Sequence, residues 1–230
     1  MTPSPSSVAR VFPQNEYRFL ILGVGGAGKT CVLESLKTRF SPMPGLPPEQ
    51  IVPTVGLNLA RLEIPATRGG AETCVFWDLG GAPSLRGIWE RYYAECDGVL
   101  FVVDAARAED AEGDERERAG GAERADRSAE DTGGDEQTAL LRSVLAEPRL
   151  ADAPALVFVN KADTVSAVSA ARTARTCASA LEEAGTRRYR VDQTVGTDGR
   201  GTERGVDWLV GETMSGERVK RRLAAAARER

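Results

Sequence analysis

The chain has no histidine and only four cysteines among its 230 residues, and each shortage narrows what it can do. Cys31, Cys74, Cys96 and Cys177 stand without paired spacing, and no histidine is there to complete a zinc site. Reduced thiols in a cytoplasmic setting are the expectation. No run of about 18 apolar residues occurs, so no membrane span is expected. The first seven residues, Met1 to Ser7, lack the basic start and apolar core of a secretion signal. Positive surplus is missing too: 30 Lys and Arg face 34 Asp and Glu, a formal charge of −4. That balance argues against a general nucleic-acid binder, which needs a basic face. What is present is 41% hydrophobic composition, enough to bury one core at the upper end of single-domain length.

Along the chain, Tyr17–Leu22 (YRFLIL) is a short β-prone run that stops at a glycine cluster, and Val32, Leu33, Leu36 and Phe40 follow at helical spacing. Residues 41–53 are rich in proline and glycine and predict a loop. Residues 55–64 and 72–77 predict two strands joined by a turn around Gly69 and Gly70, a hairpin. Residues 98–103 and 153–159 are continuous apolar runs of strand length, as strands buried on both faces of a parallel sheet should be. Helices are predicted over 136–147, 167–183 and 206–228. The alternation predicts an α/β fold with a mostly parallel sheet. Residues 1–16 read as an N-terminal tail and 17–230 as one domain. Within it, residues 105–135 hold eleven acids, five bases and no large apolar side chain. Such a stretch cannot bury enough surface to offset its ordering entropy, so it reads as a disordered or frayed insertion, with an acidic docking tether for a basic partner as the alternative. No internal repeat is evident.

Gly23-Val24-Gly25-Gly26-Ala27-Gly28-Lys29-Thr30 spells G-x-x-x-x-G-K-[ST], with a predicted strand before it and a helix after it. Glycines let backbone N–H groups curl around phosphate oxygens, Lys29 neutralises β/γ charge, and Thr30 offers a hydroxyl to Mg²⁺. The candidate phosphate-binding set is Gly23, Gly25, Gly26, Ala27, Gly28, Lys29, Thr30 and Cys31. Asp78-Leu79-Gly80-Gly81 follows a strand; its carboxylate can reach Mg²⁺ through water, and the Gly81 N–H can meet a γ-phosphate. Thr54 can supply a second hydroxyl to the metal. Asn160-Lys161-Ala162-Asp163 follows the strand ending at Val159, where loops at the carboxyl ends of parallel strands form the ligand crevice. Asp163 can accept both the ring N–H and the exocyclic amine of guanine, a pair adenine does not offer. The expected ligands are therefore GTP or GDP with Mg²⁺, and the catalytic candidates are Lys29, Thr54 and Gly81.

These runs, with Thr54-Val55-Gly56-Leu57-Asn58, Phe76-Trp77-Asp78-Leu79-Gly80-Gly81, the stretch Trp89-Glu90-Arg91-Tyr92-Tyr93-Ala94-Glu95-Cys96 and Gly205-Val206-Asp207-Trp208, resemble the Arf family of small GTPases. Tyr92 to Cys96 and Leu57-Asn58 look closer to its Arf-related branch at the trans-Golgi network. The resemblance implies a P-loop NTPase (Ras-like) fold, with a six-stranded sheet and an interswitch hairpin that shifts register with the nucleotide. It implies a monomeric switch that recruits effectors in Golgi and endosomal vesicle traffic. Partners would be an exchange factor, a GTPase-activating protein and effectors reading an apolar cluster of Leu57, Trp77 and Tyr92, whose other reading is core packing. Attachment would be peripheral, at Golgi membranes, through a receptor.

Three positions depart from the family. Ala82 stands where relatives carry the glutamine that orients the attacking water, so intrinsic hydrolysis should be slow. A hydrolysis-deficient scaffold switched by exchange alone is the alternative. The guanine-contacting turn appears only as Thr194-Val195-Gly196, with Val195 as the candidate contact. Thr2 replaces the glycine that myristoylation requires. The basic stretch Arg218, Lys220, Arg221, Arg222, Arg228 and Arg230 has two readings, attraction to an anionic membrane or a helix tail complementing its dipole.

Overall fold

A computed structural model of the chain describes residues 16–65, 70–107, 133–186 and 188–228. The expected N-terminal tail up to residue 15, Gly69 of the expected hairpin turn, Arg230 and residues 108–132 of the expected insertion lie outside them.

The apolar runs form a six-stranded sheet in the order β2-β3-β1-β4-β5-β6. Its strands are β1 (Tyr17–Leu22), β2 (Leu57–Pro65), β3 (Ala71–Leu79), β4 (Gly98–Asp104), β5 (Ala155–Asn160) and β6 (Tyr189–Gln193). β2 pairs antiparallel with β3, and every other pairing is parallel. The helices are α1 (Lys29–Phe40), α2 (Gly133–Leu145), α3 (Ala167–Glu183), α4 (Thr202–Ser215) and α5 (Glu217–Arg228). This is the α/β P-loop NTPase architecture expected.

The strand period of two sorts the side chains into two cores. Leu20 and Leu22 of β1 join Phe101 and Val157 beneath α2 and α3, which contribute Leu141, Val144, Cys177 and Leu181. Phe19 and Ile21, one residue out of phase, join Leu100, Val102 and Phe158 beneath α1 and α4, which contribute Leu33, Leu36, Val206 and Leu209. Each such side chain stabilises the fold by about 1.5–3 kcal/mol on burial. Because both faces are covered, the strand runs are continuously apolar. The sheet thereby fixes the loops at its carboxyl edge, after β1, β3, β4 and β5.

The structure departs from the sequence reading at four places. β6 was not expected: Tyr-Arg-Val-Asp-Gln is a half-buried edge strand without an apolar run. Pro83–Arg91 forms a 3₁₀ helix, with Pro83 at its first turn and Trp89 buried. The C-terminal helical region starts earlier than expected and is two helices, because Gly216 takes an extended conformation between them. Ala105, assigned by composition to the insertion, is fully buried, and Ala105 to Arg107 is helical.

The basic C-terminal stretch is largely committed to the fold. Arg222 grips buried Asp97 with both Nε and Nη2, at 2.9 and 2.8 Å, and also donates to Glu16 O at 2.7 Å. Arg218 donates to the carbonyls of Cys96 and Tyr93, each at 2.6 Å, and Arg221 pairs with Asp152. Docking of α5, rather than its dipole, accounts for these three cations.

Candidate nucleotide-binding site

The loop between β1 and α1 lies at the carboxyl edge of the sheet. α1 begins at Lys29, after Gly28 in the left-handed region at φ 92°. A Cβ on Gly28 would lie 2.2 Å from Asn160 Nδ2, so only glycine fits there. Lys29 is buried and curls back, its ammonium donating to Gly23 O at 2.9 Å and Val24 O at 2.8 Å. Burial drives its pKa down to about 8, against a pull upward from Asp78. Gly81 backs onto this loop: a Cβ there would meet Gly23 O at 2.3 Å and Lys29 Nζ at 2.4 Å. Gly25, Gly26, Gly28, Thr30, Cys31, Thr54, Gly81 and Ala82 line one cleft of about 270 Å³.

Three hydroxyl and carboxylate groups, from the start of α1, the loop before β2 and the end of β3, converge beside Lys29. Thr30 Oγ1 donates to Asp78 Oδ2 at 2.7 Å, lies 2.9 Å from Thr54 Oγ1, and Thr54 reaches the same carboxylate oxygen at 3.4 Å. Asp78 is fully buried, and burial raises its pKa while the Thr30 bond and the Lys29 charge oppose the rise. Its second oxygen, Oδ1, is buried with no hydrogen-bond partner. A buried carboxylate with a spare oxygen among hydroxyls is the hard donor set that Mg²⁺ takes.

Against Gly28 of the phosphate loop, Asn160 ties two loops together. Its Nδ2 donates to Ala27 O at 2.9 Å, and its Oδ1 accepts from Gly196 N at 2.8 Å and Thr194 Oγ1 at 3.4 Å. The Ala162 N–H adds a 3.1 Å bond to Thr194 O. The Thr194-Val195-Gly196 turn is thus held against the Asn160 to Asp163 loop, with Val195 buried and Asp163 exposed. Lys161 is the one non-glycine residue with positive φ among the described residues, at 60°. Its ammonium bonds Asp104 Oδ2 at 2.6 Å. Asp104 was not singled out in the sequence; its place at the end of β4, beside Asn160 across the sheet, was the available signal.

Residues 6–117 and 127–213 match the sequence pattern described as the ADP-ribosylation factor family. The chain belongs to that family. Human ADP-ribosylation factor-related protein 1 is 31% identical over 201 residues, covering 87% of this chain and 86% of its own. ADP-ribosylation factor-like protein 3 of Saccharomyces cerevisiae is 29% identical over 197 residues, 86% of this chain and 85% of its own. Among solved structures, the Arl6 BBS3 small GTPase of Trypanosoma brucei, described with a bound nucleotide analogue GppNp, superposes with a TM-score of 0.60 at 22% identity. That superposition covers 86% of this chain and 98% of the other, and it supports the fold. As an Arf-family P-loop protein, the chain has the scaffold of a guanine-nucleotide switch that takes GTP or GDP with Mg²⁺.

The expected Arf-family effector cluster is not a surface cluster in this conformation. Trp77 is buried, 1% exposed, beneath half-buried Tyr92, with ring centroids 5.2 Å apart. Leu57 alone of the three is exposed, and Val52, Val55 and Leu59 are exposed near it in sequence. Ala82 is exposed at the cleft, where its methyl offers no hydrogen bond. Beside it, Arg86 Nε donates to Gly81 O at 3.1 Å, and its Nη2 pairs with Glu136 of α2 at 2.5 Å. Among the described residues no helix is long and apolar enough to cross a membrane.

Proposed function

We propose that this Arf-family chain is a guanine-nucleotide switch with slow intrinsic GTP hydrolysis, working at Golgi and endosomal membranes with an exchange factor, a GTPase-activating protein and effectors. The convergence of Thr30, Thr54 and the unpartnered Asp78 oxygen carries the reading. It joins the phosphate loop to the two segments that must respond to a third phosphate. In this reading Gly23, Gly25, Gly26, Ala27, Gly28, Lys29, Thr30 and Cys31 hold the phosphates. Thr30 and Thr54 hold Mg²⁺ directly and Asp78 through water. Bound Mg²⁺ neutralises charge on the phosphate oxygens. Lys29 and the Gly81 N–H stabilise charge that develops on the γ-phosphate. Asp163 selects guanine, Asn160 and Lys161 brace the base loop, and Val195 packs at the base. The Golgi setting rests on the resemblance to the Arf-related branch. The docking face rests on exposed Leu57 and Leu59, alternate residues of edge strand β2.

A second reading is favoured by one residue. With Ala82 in place of a water-positioning side chain, the chain can act as a GTP-loaded scaffold switched by exchange alone. Calorimetry with GDP, GTP and ATP in Mg²⁺, together with single-turnover hydrolysis by wild type and Ala82→Gln, separates the two. The switch reading expects guanine nucleotides to bind, ATP not to bind, and Ala82→Gln to raise the rate by about tenfold or more. No hydrolysis by either protein would favour the scaffold, and no guanine-nucleotide binding would sink both.

A further inference from the structure

Arg107 stands outside the set that the phosphate-loop motif supplies. It lies in the helical segment that follows β4, and its Nη2 lies over the phosphate loop: a Cβ built on Gly26 would meet that atom at 3.6 Å and no other described atom within 4 Å. Its ion pair with Asp104 is long, Nε to Oδ2 at 4.0 Å, and its side chain is 44% exposed. The same Asp104 oxygen takes the much shorter 2.6 Å bond from Lys161. The carboxylate is therefore largely neutralised by one cation and holds the other loosely.

We propose that Arg107 is a second phosphate-binding cation supplied by the chain itself, closing over Gly26 onto the phosphate chain of a bound nucleoside di- or triphosphate. The assignment rests on the guanine-nucleotide reading above. Lys29 serves the inner side of the loop, where its ammonium is fixed on the Gly23 and Val24 carbonyls. Arg107 serves the outer side, over Gly26, where the missing side chain leaves the approach open. A guanidinium offers five donors in a planar fork that matches phosphate oxygens two at a time. Leaving Asp104 costs little, because the pair is long and the carboxylate keeps its 2.6 Å bond from Lys161. A phosphate chain carries more negative charge than a carboxylate already bonded to Lys161, so the bound state favours the phosphate. Sequence motifs miss this residue because it follows β4 rather than the glycine loop.

The test uses the full chain with Arg107→Ala and Arg107→Lys, and Arg142→Ala as a control on the exposed pair with Glu183. Calorimetric affinities for GDP and GTPγS, the release rate of a fluorescent GDP in Mg²⁺, and melting of the nucleotide-free protein are the readouts. Losing a charge-assisted contact in Arg107→Ala should weaken both nucleotides and speed release by about tenfold or more. Arg107→Lys, which keeps the charge but not the fork, should recover part of that loss, and Arg142→Ala should match wild type. Affinities and release in Arg107→Ala within about fivefold of wild type, the range of a surface ion pair, would overturn the assignment alone. Equal losses in both Arg107 variants with a lowered melting temperature would also overturn it, as Arg107 would then be a brace for Asp104. If wild type binds no guanine nucleotide, the assignment and the proposed function fall together.

Discussion

Replacing Asn160 by alanine should cost stability and loosen nucleotide together, and the magnitude follows from its bonds. The side chain is 2% exposed and holds Ala27 O at 2.9 Å and Gly196 N at 2.8 Å, with a longer contact to Thr194 at 3.4 Å. Alanine leaves that carbonyl and that N–H without a partner, each at a cost of about 1–3 kcal/mol. The cleft beside them admits water, which places the sum at the low end, roughly 2–3 kcal/mol. For a domain of this size each kcal/mol is worth about 2–4 °C, so melting should fall by roughly 4–12 °C. Release of a fluorescent GDP should accelerate by about tenfold or more, since 1.4 kcal/mol is tenfold and both loops at the cleft lose their tie. Asn160→Asp sharpens the test. A carboxylate can still accept from Gly196 N but faces the Ala27 carbonyl with like charge, so it should be destabilised too. Thermal melts and stopped-flow release measure both effects. An Asn160→Ala protein that melts and releases GDP as wild type does, or an Asn160→Asp protein as stable as wild type, would refute the bridging role.

The remaining expectations concern the α5 dock and the metal. Burial raises the Asp97 pKa and Arg222 pulls it back. The folded state therefore holds that proton more tightly than the unfolded chain, and the resulting stability is present below the ordinary 3.8 and lost as pH rises through the raised value. Arg222→Ala should push the pKa higher and cost about 3 kcal/mol near neutral pH, with the cost shrinking as pH falls toward the raised pKa. Urea unfolding between pH 5 and 8 measures this, and a pH-independent cost would count against it. Asp78→Asn keeps an acceptor for Thr30 but removes the charge. Wild-type GDP release should speed by about tenfold on chelating Mg²⁺, while the variant should be fast already and hardly respond. A wild-type response in Asp78→Asn would show that the metal does not depend on this carboxylate.

How much could be read in the sequence depended on whether a residue's role was local. Tyr17–Leu22 and Ala167–Glu183 emerged with the bounds expected. The first is apolar on both faces; the second has Ser166 capping the Ser169 N–H and Gly185 just past its end. β6 escaped because a half-buried edge strand needs no apolar run, and its pairing with β5 is a tertiary fact. The C-terminal break escaped because Gly216 lies inside an otherwise helical pattern. Trp77 had two readings, effector contact by resemblance or core packing, and its place in β3, paired with Leu20 on one side and Leu59 on the other, makes it core. The site residues that motifs name were visible one at a time. That Asn160 reaches both Ala27 and Gly196, across 133 and 36 positions of sequence, was not. Asp104 and Arg107 were invisible for the same reason, since their partners are close only in space.

In the switch proposed above, binding and hydrolysis would rest on different kinds of structure, and for that reason Ala82 need not disable it. The cleft is set by backbone approaches too close for a side chain, at Gly28 and Gly81, and by side-chain bonds under 3 Å at Thr30, Lys29 and Asn160. They rest on three strands of the sheet, β1, β3 and β5, so one exposed substitution perturbs none of them. Water positioning, in the same proposal, would depend on a single side chain at residue 82, which is exposed at the cleft. Its loss leaves the geometry of the cleft intact and removes only the group that would orient the attacking water. A chain built this way should hold a guanine nucleotide firmly and hydrolyse it at a rate set by what a partner adds. The lifetime of its GTP form then becomes a property of the complex rather than of the chain alone.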